Sequence, residues 1–325
     1  MKYVFRLSGR LQINVSSLNA SGAVGNYTAL QRAHIVIQRN KGSFDIVEIP
    51  GVITGNMLKH WHAKVMALKY QEMGGKRICT WCSRGVMYRT EDLGGVKVDS
   101  EEEAVRRCAI HDAHGFLAAK EPPIRRESII KTSFLLPVEE IVSELTADPI
   151  TFNRVVVTEK GEISGDMMVF KREHLSTIYG FAFSADIYAL ARKWASAFRG
   201  EGPFDVDEYN LRLRTLLEAV ASVLYGEFGS SRARSAPIIK PLQIIAVASK
   251  RLIPALTHGF YKDWIDVIVN MLASLNVGKE ELEVYVYGIE DDKLAKLRDK
   301  VKVEQVHSIY DISKKAYEFL RLQRC

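Results

Sequence analysis

The chain has 325 residues, 47% hydrophobic and 26% charged, with a net charge of +6 and a pI near 9.0. That is enough apolar material for a large core in one or two domains, and the positive excess suits a nucleic-acid partner as well as many other soluble proteins. Four cysteines in a chain this long do not make a secreted disulfide scaffold, and no stretch reads as a signal peptide or a membrane span, so a cytoplasmic, reducing compartment and no membrane partner are expected.

The first element is a strand. Tyr3, Phe5, Leu7, Leu11, Ile13 and Val15 alternate with Arg6, Ser8, Arg10, Gln12 and Asn14, which predicts one buried and one wet face. The wet face either tracks a polar polymer or is an ordinary solvated surface. A Gly- and Asn-rich loop is predicted over 19–31, with Asn19 and Asn26 inside it and Arg32 just beyond. A hairpin over 34–39 and 44–50 turns at Asn40-Lys41-Gly42.

An apolar strand over 46–52 then runs into ITGNMLKHWH at 53–62. Thr54 is placed to cap a helix over 55–73, and Gly55 leaves room for a ligand at the backbone. Free N–H groups and the helix dipole favour an anion there, beside Asn56, Lys59, His60 and His62. His60 and His62 cannot both face one way, so one of them packs inside. Leu58, Trp61, Val65 and Leu68 are at core spacing, and Gly74-Gly75 ends the helix.

Residues 76–127 show weak periodicity and read as an insertion with few apolar residues. Cys79-x-x-Cys82 is followed across a loop by Cys108-x-x-His111. Three thiolates and an imidazole at this spacing can close a tetrahedron around a structural zinc ion, with His114 as a reserve ligand. Arg125 and Arg126 end the insertion, either as phosphate ligands or as a salt-bridged pair. A strand over 128–136 stops at Pro137.

A β-ribbon is predicted inside 145–177, with Asn153 and Arg154 at its base, Met167 and Met168 on its second limb, and a turn at Lys160-Gly161. Its apolar residues form a contact surface or fold back onto their own domain. A strand over 178–188 aligns Tyr179, Phe181 and Phe183. A helix over 207–225 aligns Leu213, Leu216, Leu217, Val220 and Leu224. The next loop, 226–237, carries Gly226, Gly229, Ser230, Ser231, Arg232 and Arg234; it follows a helix rather than preceding one, so it is not a nucleotide P-loop. A strand over 242–248, a helix over 263–275, a strand over 282–287 and a helix over 312–322 complete the chain.

Without the insertions the order is β-α-β-β-α-β, which predicts an α+β fold: a ferredoxin-like palm of the RNA-recognition type. The aromatic signature of a standard RNA-recognition motif is missing from the first strand. Several segments in this order, LSGRLQINVSSLNA, VITGNMLKHWH, HDAHGFLAAKEPPIRRESIIKTSFLLP, STIYGFAFSADI, EFGSSRARSAP and IPALTHGFY, resemble the backbone subunit of archaeal type I-A CRISPR Cascade complexes, a RAMP-superfamily protein. The resemblance implies a palm built from 1–75, 128–144 and 178–325, a finger-like insertion at 76–127 and a thumb hairpin at 145–177. It also implies copies stacked head to tail along CRISPR RNA, beside other Cascade subunits, with target DNA met only through the guide. The thumb hairpin would then press a wedge, Met167 or Met168, into the neighbouring copy's RNA. The loop at 226–237 resembles the glycine-rich RAMP loop that lies against the RNA backbone. Helix starts, glycines and arginines contact phosphates and cannot read bases. The zinc set is not general in that family and stands on the spacing alone.

The competing class is a RAMP-type endonuclease that processes CRISPR RNA with histidines as acid and base. His34, His60, His62, His111, His114, His174, His258 and His307 supply candidates, none paired in sequence with a Tyr, Lys or carboxylate partner. The sequence favours a non-catalytic binding protein.

Overall fold

The computed structural model describes residues 3–40, 42–119, 121–229 and 236–323. Strict alternation gives β1 (Val4–Ser16), followed by a short hairpin, β2 (Ala20–Val24) and β3 (Tyr27–Leu30), and by a longer one, β4 (Arg32–Asn40) and β5 (Ser43–Pro50). The segment 19–31 is thus a hairpin, not the expected loop. Thr54 caps α1 (Gly55–Glu72), its hydroxyl accepting from the Met57 N–H. Three short helices follow, α2 (Thr80–Ser83), α3 (Glu101–Arg107) and α4 (Ala109–His114), then the small pair β6 (Phe116–Ala118) and β7 (Ile124–Arg126).

The strand expected over 128–136 is two fragments, β8 (Ile130–Thr132) and β9 (Leu136–Pro137). The ribbon is β10 (Asp148–Val157) with β11 (Ile163–Ala185), and β11 continues without interruption into the aromatic strand. Beyond it lie α5 (Trp194–Arg199), α6 (Val206–Leu224), β12 (Ile238–Ser249), α7 (Trp264–Ser274), β13 (Leu282–Tyr287), α8 (Ala295–Arg298), β14 (Lys302–Gln305) and α9 (Ile309–Leu320).

One mixed sheet organises these elements in the order β14-β13-β12-β1-β11-β3-β2, with β8, β9 and β10 also paired to β11. Its centre is antiparallel, β1 lying between β11 (Leu7 opposite Phe183) and β12 (Leu7 opposite Ala246). The β13–β14 and β11–β3 pairs are parallel. Helices α1 and α6 pack together over Leu11, Phe181 and Phe183, with Leu58, Val220 and Leu224 filling the space between. The buried side of α1 is Leu58, His62, Val65, Met66 and Tyr70; Leu68, assigned to the core by spacing, is 66% exposed. Residues 76–127 are not apolar-poor in effect, since Leu93, Val98, Ala104, Ile110, Ala113 and Phe116 join the same core.

The second face of β1 is not wet. Residues 257–261 lie across it, and only glycines allow the approach. A Cβ on Gly180 would stand 2.2 Å from the Gly259 carbonyl carbon, and one on Gly259 would stand 2.2 Å from the Gly9 oxygen. Ser8 is fully buried and donates to the carbonyls of Phe181 (3.0 Å) and Thr257 (2.7 Å). Arg6 is buried against Asp186 at 2.8 Å.

Candidate metal centre and nucleic-acid interface

Two short helices bring the sulfurs and one imidazole together. Cys79 precedes α2 and accepts the Cys82 N–H on its sulfur at 3.5 Å; Cys108 precedes α4, which carries His111. The ligand atoms of Cys79, Cys82, Cys108 and His111 all lie within 4.8 Å of one another, and all four residues are buried. His111 Nδ1 is 3.9 Å from both the Cys79 and the Cys82 sulfur. Its Nε2 is 3.2 Å from the Thr90 carbonyl, so the proton sits on Nε2 and the Nδ1 lone pair faces the sulfurs. These separations approach the edges of a tetrahedron with a cation ~2.0–2.3 Å from each donor.

Hydrogen bonds from Cys108 and Cys82 pull the Cys79 thiol down to about 3, and hydrogen bonding to Cys108 and Cys79 pushes Cys82 up. A divalent cation bound here would favour the thiolate form of all three cysteines. The donor set therefore fits a tetrahedral divalent cation. His114, the reserve ligand, stands outside the set.

The start of α1 is partly as expected. Thr54 donates to Asn19 Oδ1 at 3.0 Å, so the cap and Asn19 are brought together. Asn56 is exposed and Lys59 partly buried, and burial together with the nearby Arg89 charge lowers the Lys59 pKa. Gly55, however, makes room for the chain itself: a Cβ there would meet the Thr132 carbonyl oxygen at 2.5 Å, and Thr132 Oγ1 donates to the Gly55 carbonyl at 2.8 Å.

Several expected phosphate ligands are already engaged. Arg10 donates to Glu140 at 2.8 Å and to the carbonyls of Gly259 (2.8 Å) and Tyr261 (2.9 Å), which removes it as a free RNA contact. Gln12 and Asn14, on the same strand, are half-buried. Asn26 donates to the Val169 carbonyl at 3.0 Å, and Arg32 pairs with Glu173 at 3.3 Å. Arg126 is a buried structural cation, bonded to Asp112 at 2.5 Å and Glu101 at 2.6 Å, whereas Arg125 is exposed. Gly229 has a φ of +109°, and its missing Cβ is replaced by Leu18. Ser230, Ser231, Arg232 and Arg234 lie outside the described residues.

The ribbon stands out from the sheet with apolar residues on both faces. Met167 is 63% exposed and Met168 55%. The register pairs Arg154 with Met168 and Val155 with Met167, so the two methionines point to opposite faces, and Asn153 shares the Met167 face. Phe152 and Phe170 stack at 5.3 Å on the Met168 face.

Against known proteins, a profile described as "CRISPR-associated negative auto-regulator DevR/Csa2" matches residues 7–269. The chain belongs to this CRISPR-associated DevR/Csa2 family. A relative from Methanocaldococcus jannaschii, "CRISPR-associated protein Cas7/Cst2/DevR", is 34% identical over 305 residues, covering 88% of this chain and 93% of the relative. "CRISPR-associated aCascade subunit Cas7/Csa2 2" of Saccharolobus solfataricus is 26% identical over 257 residues, covering 73% of this chain and 77% of that one. A chain in a solved "CRISPR RNA-guided surveillance complex, pre-nicking" superposes with a TM-score of 0.51 at 11% identity, covering 96% of this chain and 100% of that chain, a likeness of fold. Among the described residues no helix is long and apolar enough to cross a membrane.

This DevR/Csa2 chain also holds polar groups that spacing did not reveal. Asp112 accepts from Arg126, from Arg212 Nη1 at 2.8 Å and from the Ala191 N–H at 2.8 Å, all fully or nearly fully buried. Arg212 continues to Glu208 at 2.7 Å, which accepts from Tyr70 at 2.5 Å. The only local hint was the i,i+4 spacing of Glu208 and Arg212.

His62, His114 and His258 are held in structural hydrogen bonds. His62 Nε2 faces the Leu216 carbonyl at 3.1 Å, so its Nδ1 accepts from His114 Nε2 at 3.0 Å. His114 Nδ1 is then a buried lone pair without a partner. His258 Nδ1 accepts the Phe260 N–H at 3.0 Å, so its Nε2 donates toward Ser133 and the Phe134 carbonyl and cannot act as a base on Ser133. Burial holds the His62 pKa at about 4 and His114 well below the ordinary value. The unfolded chain takes up a proton at each near pH 6.5, so below that pH it binds more protons than the folded chain. Stability should therefore be intact above pH 6.5 and fall as pH drops toward 4, by about 3 kcal/mol for His62 alone. Denaturant unfolding at pH 7 and pH 5 checks this. His62→Gln should flatten the dependence, and an unchanged slope would assign the loss elsewhere.

Proposed function

We propose that this chain grips the sugar–phosphate backbone of CRISPR RNA without reading its bases, works without catalysis, and stacks head to tail with further copies beside other Cascade subunits. The guide's bases are then left free for target DNA. The observation that carries this reading is membership of the DevR/Csa2 family across most of the chain. Support comes from β12-β1-β11 with β8 and β9 under α1 and α6, which we read as a ferredoxin-like palm, and from the exposed ribbon, which we read as a thumb. Thr54, Asn56 and Lys59 lead the phosphate contacts, with Asn19, Arg125, Asn153, Arg154 and the segment Gly229 to Arg234 beside them. Met168, beside the stacked phenylalanines, or Met167 on the opposite face is the wedge. Cys79, Cys82, Cys108 and His111 hold zinc.

Two unrelated single-stranded RNAs should bind within about threefold of each other and weaken together as salt rises, since phosphate contacts carry no sequence information. Neither should be cleaved, with or without divalent ions. A strong preference for one sequence, or turnover abolished by a His→Ala change, would sink the reading.

A further inference from the structure

We infer that Arg89, in the segment between α2 and α3, joins Lys59 of α1 to form a two-cation clip that holds one phosphate of the bound RNA. The inference rests on the RNA-binding reading above and adds a residue from a second part of the chain. Arg89 is fixed from three sides. Its carbonyl accepts from the Leu117 N–H at 3.5 Å, and the carbonyl of the next residue, Thr90, accepts from the metal-facing His111 ring at 3.2 Å. Its Nη1 donates to the His114 carbonyl at 3.2 Å. The His114 ring is bonded at 3.0 Å to His62, which lies one turn beyond Lys59 on α1. The guanidinium is thereby tied to the residue that packs on His62 of α1, within reach of the Lys59 charge. Asn56, Lys59 and His60 share that side of the helix by their i,i+3 and i,i+4 spacing.

Charge balance is the second observation. Arg6, Arg10, Arg126 and Arg212 each meet a carboxylate within 2.8 Å. Among the described residues neither Lys59 nor Arg89 has one within ion-pair distance. Burial and the Arg89 charge disfavour the Lys59 cation, with Glu127 opposing them more weakly, and burial disfavours the Arg89 cation. Among the described residues Lys59 has no carboxylate partner and Arg89 meets only the Cys82 sulfur's charge, so an anion from outside would stabilise the pair. Arg89 keeps four N–H donors beyond its bond to His114, which suits the forked oxygens of a phosphate.

The experiment is a salt titration of the full chain binding single-stranded oligouridylate. Arg89→Gln and Lys59→Gln should each lower the slope of log affinity against log salt, and together by about 0.7, one phosphate contact's worth. Arg89→Lys, which keeps the charge, should restore the slope. Arg214→Gln, remote and paired with Glu218, should leave it unchanged. Wild-type binding with an unaltered slope in Arg89→Gln would overturn the clip and leave the RNA-binding reading standing. No wild-type binding at all would overturn both. Circular dichroism confirms folding of each variant, and if Arg89→Gln does not fold, the paired result of Lys59→Gln and Arg89→Lys decides.

Discussion

Asp112→Ala should be strongly damaging, costing about 3–5 kcal/mol because it strips a carboxylate from two arginines that cannot reach water. Arg126 and Arg212 both have fully buried side chains, as does Asp112. Each arginine keeps one other carboxylate, Glu101 or Glu208, so the buried positive charge would be under-compensated rather than bare. The Ala191 N–H would also lose its acceptor. A domain's net stability is only about 5–15 kcal/mol, so this is a large share of it, worth roughly 4–7 °C in Tm for a chain of this length. The network ties α4 to β7, α6 and the stretch around residue 190, so its loss loosens segments far apart in sequence. Calorimetry checks the expectation. A Tm within about 2 °C of wild type would mean the network contributes little net stability.

Removing the metal should have an effect at least as large. Purified protein should carry about one zinc per chain, the stoichiometry of a closed four-ligand site. Strong chelators, or Cys108→Ser, should lower the Tm sharply, since structural zinc contributes apparent binding energies of order 10 kcal/mol that act as folding energy. Acid should release the ion, because protons compete for the thiolates and the imidazole. The local consequence is specific. His111 would lose the charge that holds its Nδ1 toward the sulfurs, while α4 would keep the Asp112 network and the His62–His114 contact. Cobalt in place of zinc should give the strong absorption of tetrahedral thiolate coordination. Metal-free protein with an unchanged melting curve would remove the cluster from the architecture.

Much was legible from local pattern alone. The alternation in β1, the Tyr179, Phe181 and Phe183 row, the apolar stripe of α6 and the β10–β11 turn each depend on neighbours a few residues apart, and each appears where the pattern placed it. The Cys79, Cys82, Cys108 and His111 set was legible for a related reason. Two short-range pairs restrict ligand geometry strongly, and only the loop between them had to close. The long apolar-and-aromatic core and one packed histidine of the His60, His62 pair were readable in the same way.

What the tertiary structure alone decided concerns second surfaces. Periodicity reports that one side of an element is apolar; it does not say what covers the other side. Hence Arg10 and Ser8 read as wet until residues 257–261 close over them through Gly9, Gly180 and Gly259. Gly55 read as space for a ligand until Thr132 filled it, and Arg126 read as a surface cation until Asp112 and Glu101 enclosed it. β14 is too short to carry a period and exists because β13 offers it a partner, and the strand read over 128–136 forms only where β11 pairs with it, as β8 and β9. Local repetition is encoded in adjacent residues, whereas burial of a charge depends on which distant segment arrives with the opposite one.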